Sequence, residues 1–211
     1  MRGMIVWTIP NILTVLRLCA APGVPIMFLY FSRPWADFLA LTLFVGAAVT
    51  DWFDGHLARL WKQESRFGAM LDPIADKAMV VIAIFVITGY SGMNPWLILP
   101  ATVIVFREIF VGGLREYLGS NPGTLKVTRL AKWKTTAQMV AIGVLFLGLG
   151  LATLDVPLPP RVGRVGLPPG TTWAGLATWL GLLLIWVAAA LTAITGWDYF
   201  RKSLPYLKDA R

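Results

Sequence analysis

The chain has 211 residues, 57% of them hydrophobic and 14% charged, and its mean hydropathy is +0.68. A water-soluble domain carries about 25% charged residues, so the composition excludes an ordinary soluble fold and makes the bilayer the solvent. A net charge of +8 then reads as basic loops against anionic lipid rather than as nucleic-acid binding, because no basic segment is interleaved with stacking aromatics.

A spanning helix needs about 20 mostly apolar residues. In chain order the sequence offers six, at roughly 9–31, 36–60, 67–89, 96–118, 132–153 and 172–199. This predicts an all-α membrane protein with six transmembrane helices in one domain, 1–211. Between the helices stand Ser32-Arg33-Pro34, the polar Lys62 to Arg66, Tyr90 to Pro95, the long segment Glu116 to Arg129, and the Pro/Gly-rich segment Asp155 to Gly170. Pro and Gly clusters of this kind punctuate helices. The first run is as long as a span and lacks a small-residue cleavage site, so no cleavable signal peptide is expected. The single cysteine, Cys19, is expected to be a small packing residue. A single histidine, His56, excludes a multi-histidine metal site within one chain.

Basic residues favour the cytoplasmic side of a membrane. Arg2, Lys62, Arg66, Lys126, Arg129, Lys132, Lys134, Arg201, Lys202, Lys208 and Arg211 fall on one side, and Arg33, Arg161 and Arg164 on the other. Both termini are therefore expected in the cytoplasm, with the protein in the cell (inner) membrane. Ionisable residues near or inside the predicted helices include Arg17, Arg59, Lys77, Arg107, Arg115, Asp51, Asp54, Asp72, Asp76 and Glu108. Each costs about 2.5–3.5 kcal/mol at the bilayer centre even on a lenient scale, so they need partners or a wet cavity.

Asp51 and Asp54 are three residues apart and Asp72 and Asp76 four apart, so each pair lies on one helix face. The two helices are joined by the loop Lys62 to Arg66 and run antiparallel. With about 1.5 Å of rise per residue, Asp54 and Asp72 lie roughly 10 Å from that loop and Asp51 and Asp76 roughly 15 Å. Four carboxylates can thus meet at one depth. Oxygen-only donors suit hard divalent cations, Mg²⁺ or Mn²⁺, and two ions sharing them could clamp a diphosphate. Gly55 admits either a ligand or a packed helix, and Gly68 leans towards packing. Ala58 shares the face of Asp51 and Asp54, where its small size widens the cavity. Arg59 suits a nucleotide phosphate or snorkelling to the surface. Arg17, Arg107, Arg115, Lys132 and Lys134 fall at similar depth and suggest a basic pocket for an acceptor with its own phosphate. The competing readings are loop charge for Lys132 and Lys134 and a structural pair with Glu108 or an aspartate for Arg107.

The pattern Asp51-xx-Asp54-Gly55-xx-Ala58-Arg59-x8-Gly68-xxx-Asp72-xxx-Asp76 resembles the signature of the CDP-alcohol phosphotransferase family at every fixed position. The resemblance extends to Ile9 to Thr14 with Arg17, to Arg107-Glu108, to Gly113 to Glu116, to Lys132-x-Lys134-Thr135, and to Gly196-Trp197-Asp198-Tyr199. It is greatest with bacterial members that use glycerol 3-phosphate. Two departures are the long Pro-rich segment Asp155 to Gly170 and Ala131 where a glycine often precedes the first lysine. The resemblance implies transfer of a phosphatidyl group from CDP-diacylglycerol to sn-glycerol 3-phosphate, with phosphatidylglycerol phosphate and CMP as products. It implies Asp51, Asp54, Asp72 and Asp76 as metal ligands, Asp76 also as general base, and Gly55, Ala58 and Arg59 in the CDP site, with Gly68 beside them. It further implies a homodimer. A sister enzyme with another acceptor (cardiolipin, phosphatidylserine or inositol-phosphate phospholipid synthase) shares the CDP end. A divalent-cation transporter would use the same carboxylates but needs charge through both leaflets.

Overall fold

The computed structural model describes residues 8–61, 65–118, 129–154 and 172–207, with the side chains of 52, 54–59 and 129–132 excepted. Six helices follow one another: α1 (Ile9–Tyr30), α2 (Trp35–Leu60), α3 (Arg66–Tyr90), α4 (Pro95–Leu118), α5 (Arg129–Leu154) and α6 (Trp173–Leu207). Lys62 to Glu64 of the expected loop Lys62 to Arg66, most of Glu116 to Arg129 and all of Asp155 to Gly170 lie outside the described residues.

Local chemistry sets the helix starts. Thr8 caps α1 by accepting from the Asn11 backbone N–H, and a proline occupies the first turn, where its missing N–H costs nothing. Ser65 caps α3 by accepting from Gly68 N–H, which satisfies one of the orphan donors of the first turn. Among the described residues four helices are long and apolar enough to cross a bilayer: Ile9–Tyr30, Pro95–Leu118, Trp133–Leu154 and Trp173–Tyr206. The protein is a helical membrane protein. The aspartate-bearing α2 and α3 have 26 and 25 residues.

α1 packs on α2 and α3, α6 runs along α5 and α4, and α2 and α3 both meet α5. α5 and α6 approach closely, and a Cβ on Gly181 would come within 2.7 Å of the Leu145 side chain. The shared core holds Phe44, Met79, Ile87, Ile104, Ile142, Phe146 and Ile185. Exposed tryptophans mark both ends of the bundle. Trp35, Trp96 and Trp173 sit where α2, α4 and α6 begin, and Trp61, Trp133 and Trp197 lie towards the opposite end. Two belts of this kind are expected at membrane interfaces.

Two features differ from the sequence expectation. Cys19 is exposed rather than packed, because its face of α1 looks outward beside α2. And α6 continues past residue 199 to Leu207. The polar residues that end the apolar stretch do not end the helix: Lys202 bonds Asp198 at 2.6 Å one turn earlier, and Ser203 is fully buried.

Candidate active site

The acidic cluster is assembled by a polar stripe on α1. Asn11, Thr14 and Arg17 recur every third residue and are all buried, so they form one face that looks into the bundle. Asn11 accepts a hydrogen bond from Ser65 at 2.7 Å. A Cβ on Gly68 would lie 2.7 Å from the Asn11 side-chain oxygen; Gly68 is where α3 presses on α1, the packing alternative for this glycine. One turn deeper, Thr14 donates to Asp72 Oδ1 at 2.7 Å. Deeper again, Arg17 Nη1 bonds both Asp51 Oδ1 and Asp76 Oδ1, the latter at 2.8 Å. One buried guanidinium thus ties α2 to α3 across their carboxylates.

Asp51, Asp72 and Asp76 are therefore gathered at one end of the bundle with their outer oxygens half-exposed. Asp54, Gly55, Ala58 and Arg59 belong to the last turns of α2, and Lys132 to the first turn of α5; their side chains lie outside those described. Arg17 is not with the basic pocket to which its depth pointed. It is on the carboxylates, because α1 packs on α2 and α3. Its outer side opens onto an apolar groove between α1 and α2, about 620 Å³ in volume.

The other basic residues do converge. A cavity of about 240 Å³ is lined by Asp76 and Lys77 of α3, Arg107, Glu108 and Arg115 of α4, Lys134 and Gln138 of α5, and Tyr199 of α6, among others. Its wall carries four cations and two carboxylates, a formal excess of two positive charges that matches a phosphomonoester dianion. Glu108 organises the cations, pairing with Lys134 and with Arg107 at 3.1 Å. Arg107 pairs with Glu108 and also lines the cavity. Lys134 is buried rather than loop charge. Tyr199 completes the wall. The Arg107 and Arg115 guanidiniums stand 5.5 and 5.3 Å from its ring centroid, and Arg115 donates to its hydroxyl at 3.2 Å. Three residues before it, a Cβ on Gly196 would meet the Arg107 stem at 2.9 Å, so the glycine makes room for that arginine.

Among the described side chains of the α2–α3 cluster, Asp76 is the carboxylate that also lines this basic cavity. Lys77, Glu108, Gln138 and Tyr199 were not among the predicted site residues. The signal for Gln138 was present in its spacing, one turn beyond Lys134 on the same face.

The family model for CDP-alcohol phosphatidyltransferase matches residues 7–194. The chain belongs to the CDP-alcohol phosphatidyltransferase family. Three relatives carry the name CDP-diacylglycerol–glycerol-3-phosphate 3-phosphatidyltransferase. That of Cereibacter sphaeroides is 65% identical, covering 97% of this chain and 99% of its own. That of Pectobacterium atrosepticum is 42% identical over 71% of this chain and 86% of its own. That of Rickettsia bellii is 36% identical over 94% and 96%. In this CDP-alcohol phosphatidyltransferase the acidic cluster offers hard oxygen donors that fit a divalent cation in kind. Among the described residues no three acidic side chains converge closely enough to form an ion site by themselves, and the positive charge between Asp51 and Asp76 is supplied by Arg17.

Proposed function

We propose that this membrane enzyme transfers the phosphatidyl group of CDP-diacylglycerol to sn-glycerol 3-phosphate, forming phosphatidylglycerol phosphate and CMP. The observation that carries the reading is the cavity in which Asp76 shares a wall with Arg107, Arg115 and Lys134. A proton acceptor and a phosphate-sized positive surface stand in one small space. The reading also follows the name of the relative 65% identical along nearly the whole chain.

In this scheme Arg107, Arg115 and Lys134 bind the acceptor phosphate through charge-assisted hydrogen bonds. That orients the primary hydroxyl towards Asp76. The hydroxyl oxygen attacks the phosphorus next to the diacylglycerol, its proton passes to the Asp76 carboxylate, and the bond from that phosphorus to the CMP oxygen breaks. Positioned proton transfer of this kind contributes about 10²–10⁴-fold. Arg17 holds Asp51 and Asp76 in register between their helices. Gly55, Ala58 and Arg59 line the CDP moiety. Two divalent cations, Mg²⁺ or Mn²⁺, held by Asp51, Asp54, Asp72 and Asp76, would neutralise the diphosphate and lower the acceptor alcohol's pKa. All six helices span the inner membrane, with both termini and the acidic end cytoplasmic, and the protein works as a homodimer.

The test is CMP release by the purified protein from CDP-diacylglycerol with a panel of acceptors: glycerol 3-phosphate, serine, phosphatidylglycerol and inositol phosphate. Glycerol 3-phosphate is expected to support turnover far above the others, and EDTA to stop it until Mg²⁺ or Mn²⁺ is restored. Turnover confined to a different acceptor would move the chain to a sister activity. Turnover that survives complete chelation would remove the cations. Divalent-cation uptake into proteoliposomes with no CMP release would point to transport.

A further inference from the structure

Gln138 lies on α5 four residues beyond Lys134, on the same face and roughly 6 Å deeper along the helix. It is 2% exposed and lines the cavity together with Asp76, Glu108, Arg107 and Lys134. Its side-chain nitrogen is buried and has no hydrogen-bond partner among the described residues. A buried amide donor left unpaired costs about 1–3 kcal/mol, and nearly all such groups find partners. The donor is therefore matched to something that enters the cavity.

The neighbours define what that is. The cations of the wall account for a phosphate, and Asp76 for the hydroxyl that attacks. Counted from the helix ends at this side of the bundle, Gln138 and Asp76 both lie roughly 14–15 Å in and Arg107 roughly 16 Å, whereas Lys134 and Arg115 start from about 8 Å and 5 Å. An acceptor held by its phosphate at the cations presents its carbon chain to the rest of the wall, where Gln138 and Asp76 stand at one depth. Resting on the function proposed above, we propose that Gln138 is a specificity-determining residue whose side-chain N–H donates to the C2 hydroxyl oxygen of glycerol 3-phosphate. The C1 hydroxyl is then left facing Asp76, and a phosphorylated alcohol without the C2 hydroxyl leaves the donor unpaired. Sites that hydrogen-bond a substrate hydroxyl reject the analogue lacking it far more strongly than sites that only enclose it.

The experiment compares kcat/KM for glycerol 3-phosphate with that for 3-hydroxypropyl phosphate, which has the same phosphate and attacking hydroxyl but no C2 hydroxyl. The native enzyme should prefer glycerol 3-phosphate by tenfold or more. In Gln138→Leu, kcat/KM for glycerol 3-phosphate should fall about tenfold, the loss of one hydrogen bond, while the value for 3-hydroxypropyl phosphate holds, so the preference collapses. The melting temperature in detergent should hold or rise, because an apolar isostere removes an unpaired buried donor. Gln138→Met gives the same comparison with a different side-chain shape, should Leu fail to fold. A native enzyme indifferent to the C2 hydroxyl, a preference unchanged in both variants, or an equal loss on both acceptors with a lowered melting temperature would each overturn the assignment. A native enzyme with no turnover on either acceptor would instead overturn the proposed function, which is a separate result.

Discussion

Two arginines tie opposite ends of this bundle, and they do so in inverse ways. At one end Arg33 lays its guanidinium fork on Asp37, with contacts of 2.8 and 2.9 Å, and donates to the Leu149 carbonyl at 3.1 Å. There the aspartate side chain is fully buried and the arginine 35% exposed. At the other end Arg17 is 1% exposed, while Asp51 and Asp76, which it bonds, are 40% and 39% exposed. In the first pair the cation seals the acid away from any visitor. In the second the acid is held from behind and its free oxygens face outward. The first arrangement clips α1 and α2 to the end of α5; the second holds carboxylates ready for a ligand. A buried ion pair alone is weak evidence of a site, and what separates these two is which partner stays open.

The sharpest way to break the comparison is at Asp76. Asp76→Asn keeps the shape and removes the base, so turnover should fall about 100- to 10,000-fold in a CMP-release assay. CDP-diacylglycerol binding should remain measurable, and the melting temperature should change little because the side chain is half-open. Activity close to native would end the base assignment. Arg33→Met tests the other end and should do the reverse. It leaves the buried Asp37 carboxylate without its cation, a change that costs about 3–5 kcal/mol. Thermal unfolding in detergent should show the loss, while kcat and the acceptor KM of the folded fraction stay native. A kinetic defect with unchanged stability would mean that the Arg33–Asp37 pair is not the structural clip described here.

The contrast was only half legible in the sequence. Hydropathy located the six helices, and five of them within a few residues at both ends, because long apolar runs are a strong signal. It cut α6 short at 199 because it responds to composition, whereas a helix ends where its backbone bonds end. The spacing of Asp51, Asp72 and Asp76 put them on adjacent faces, and rise per residue put them at one depth. Depth says nothing about azimuth, however. Arg17 lies at the depth of Arg107 and Lys134 but on α1, and only the packing of α1 against α2 and α3 shows that it meets carboxylates. Asp37 carried no sequence signal, since an aspartate in the first turn of a helix is ordinary. Gln138 carried a signal in its spacing from Lys134 and Tyr199 one in the family resemblance, but each gains its place in the site only from the residues across the cavity.

The smallest predicted effect separates the two ends through their tyrosines. Arg33 stands over Tyr90, 5.2 Å from the ring centroid, as Arg107 and Arg115 stand over Tyr199. Only Tyr199 is buried, at 3% exposure, and only its hydroxyl accepts from an arginine that lines the cavity. Tyr199→Phe keeps the ring that holds both cations and deletes that single acceptor. A neutral acceptor lost from one bond is worth about 0.5–1.5 kcal/mol, so the acceptor KM should rise about 3- to 10-fold with kcat nearly unchanged. Tyr90→Phe should leave both constants alone. If the two variants behave alike, the arginines over Tyr199 are held by stacking alone, and the hydroxyl has no part in setting the anion-binding wall.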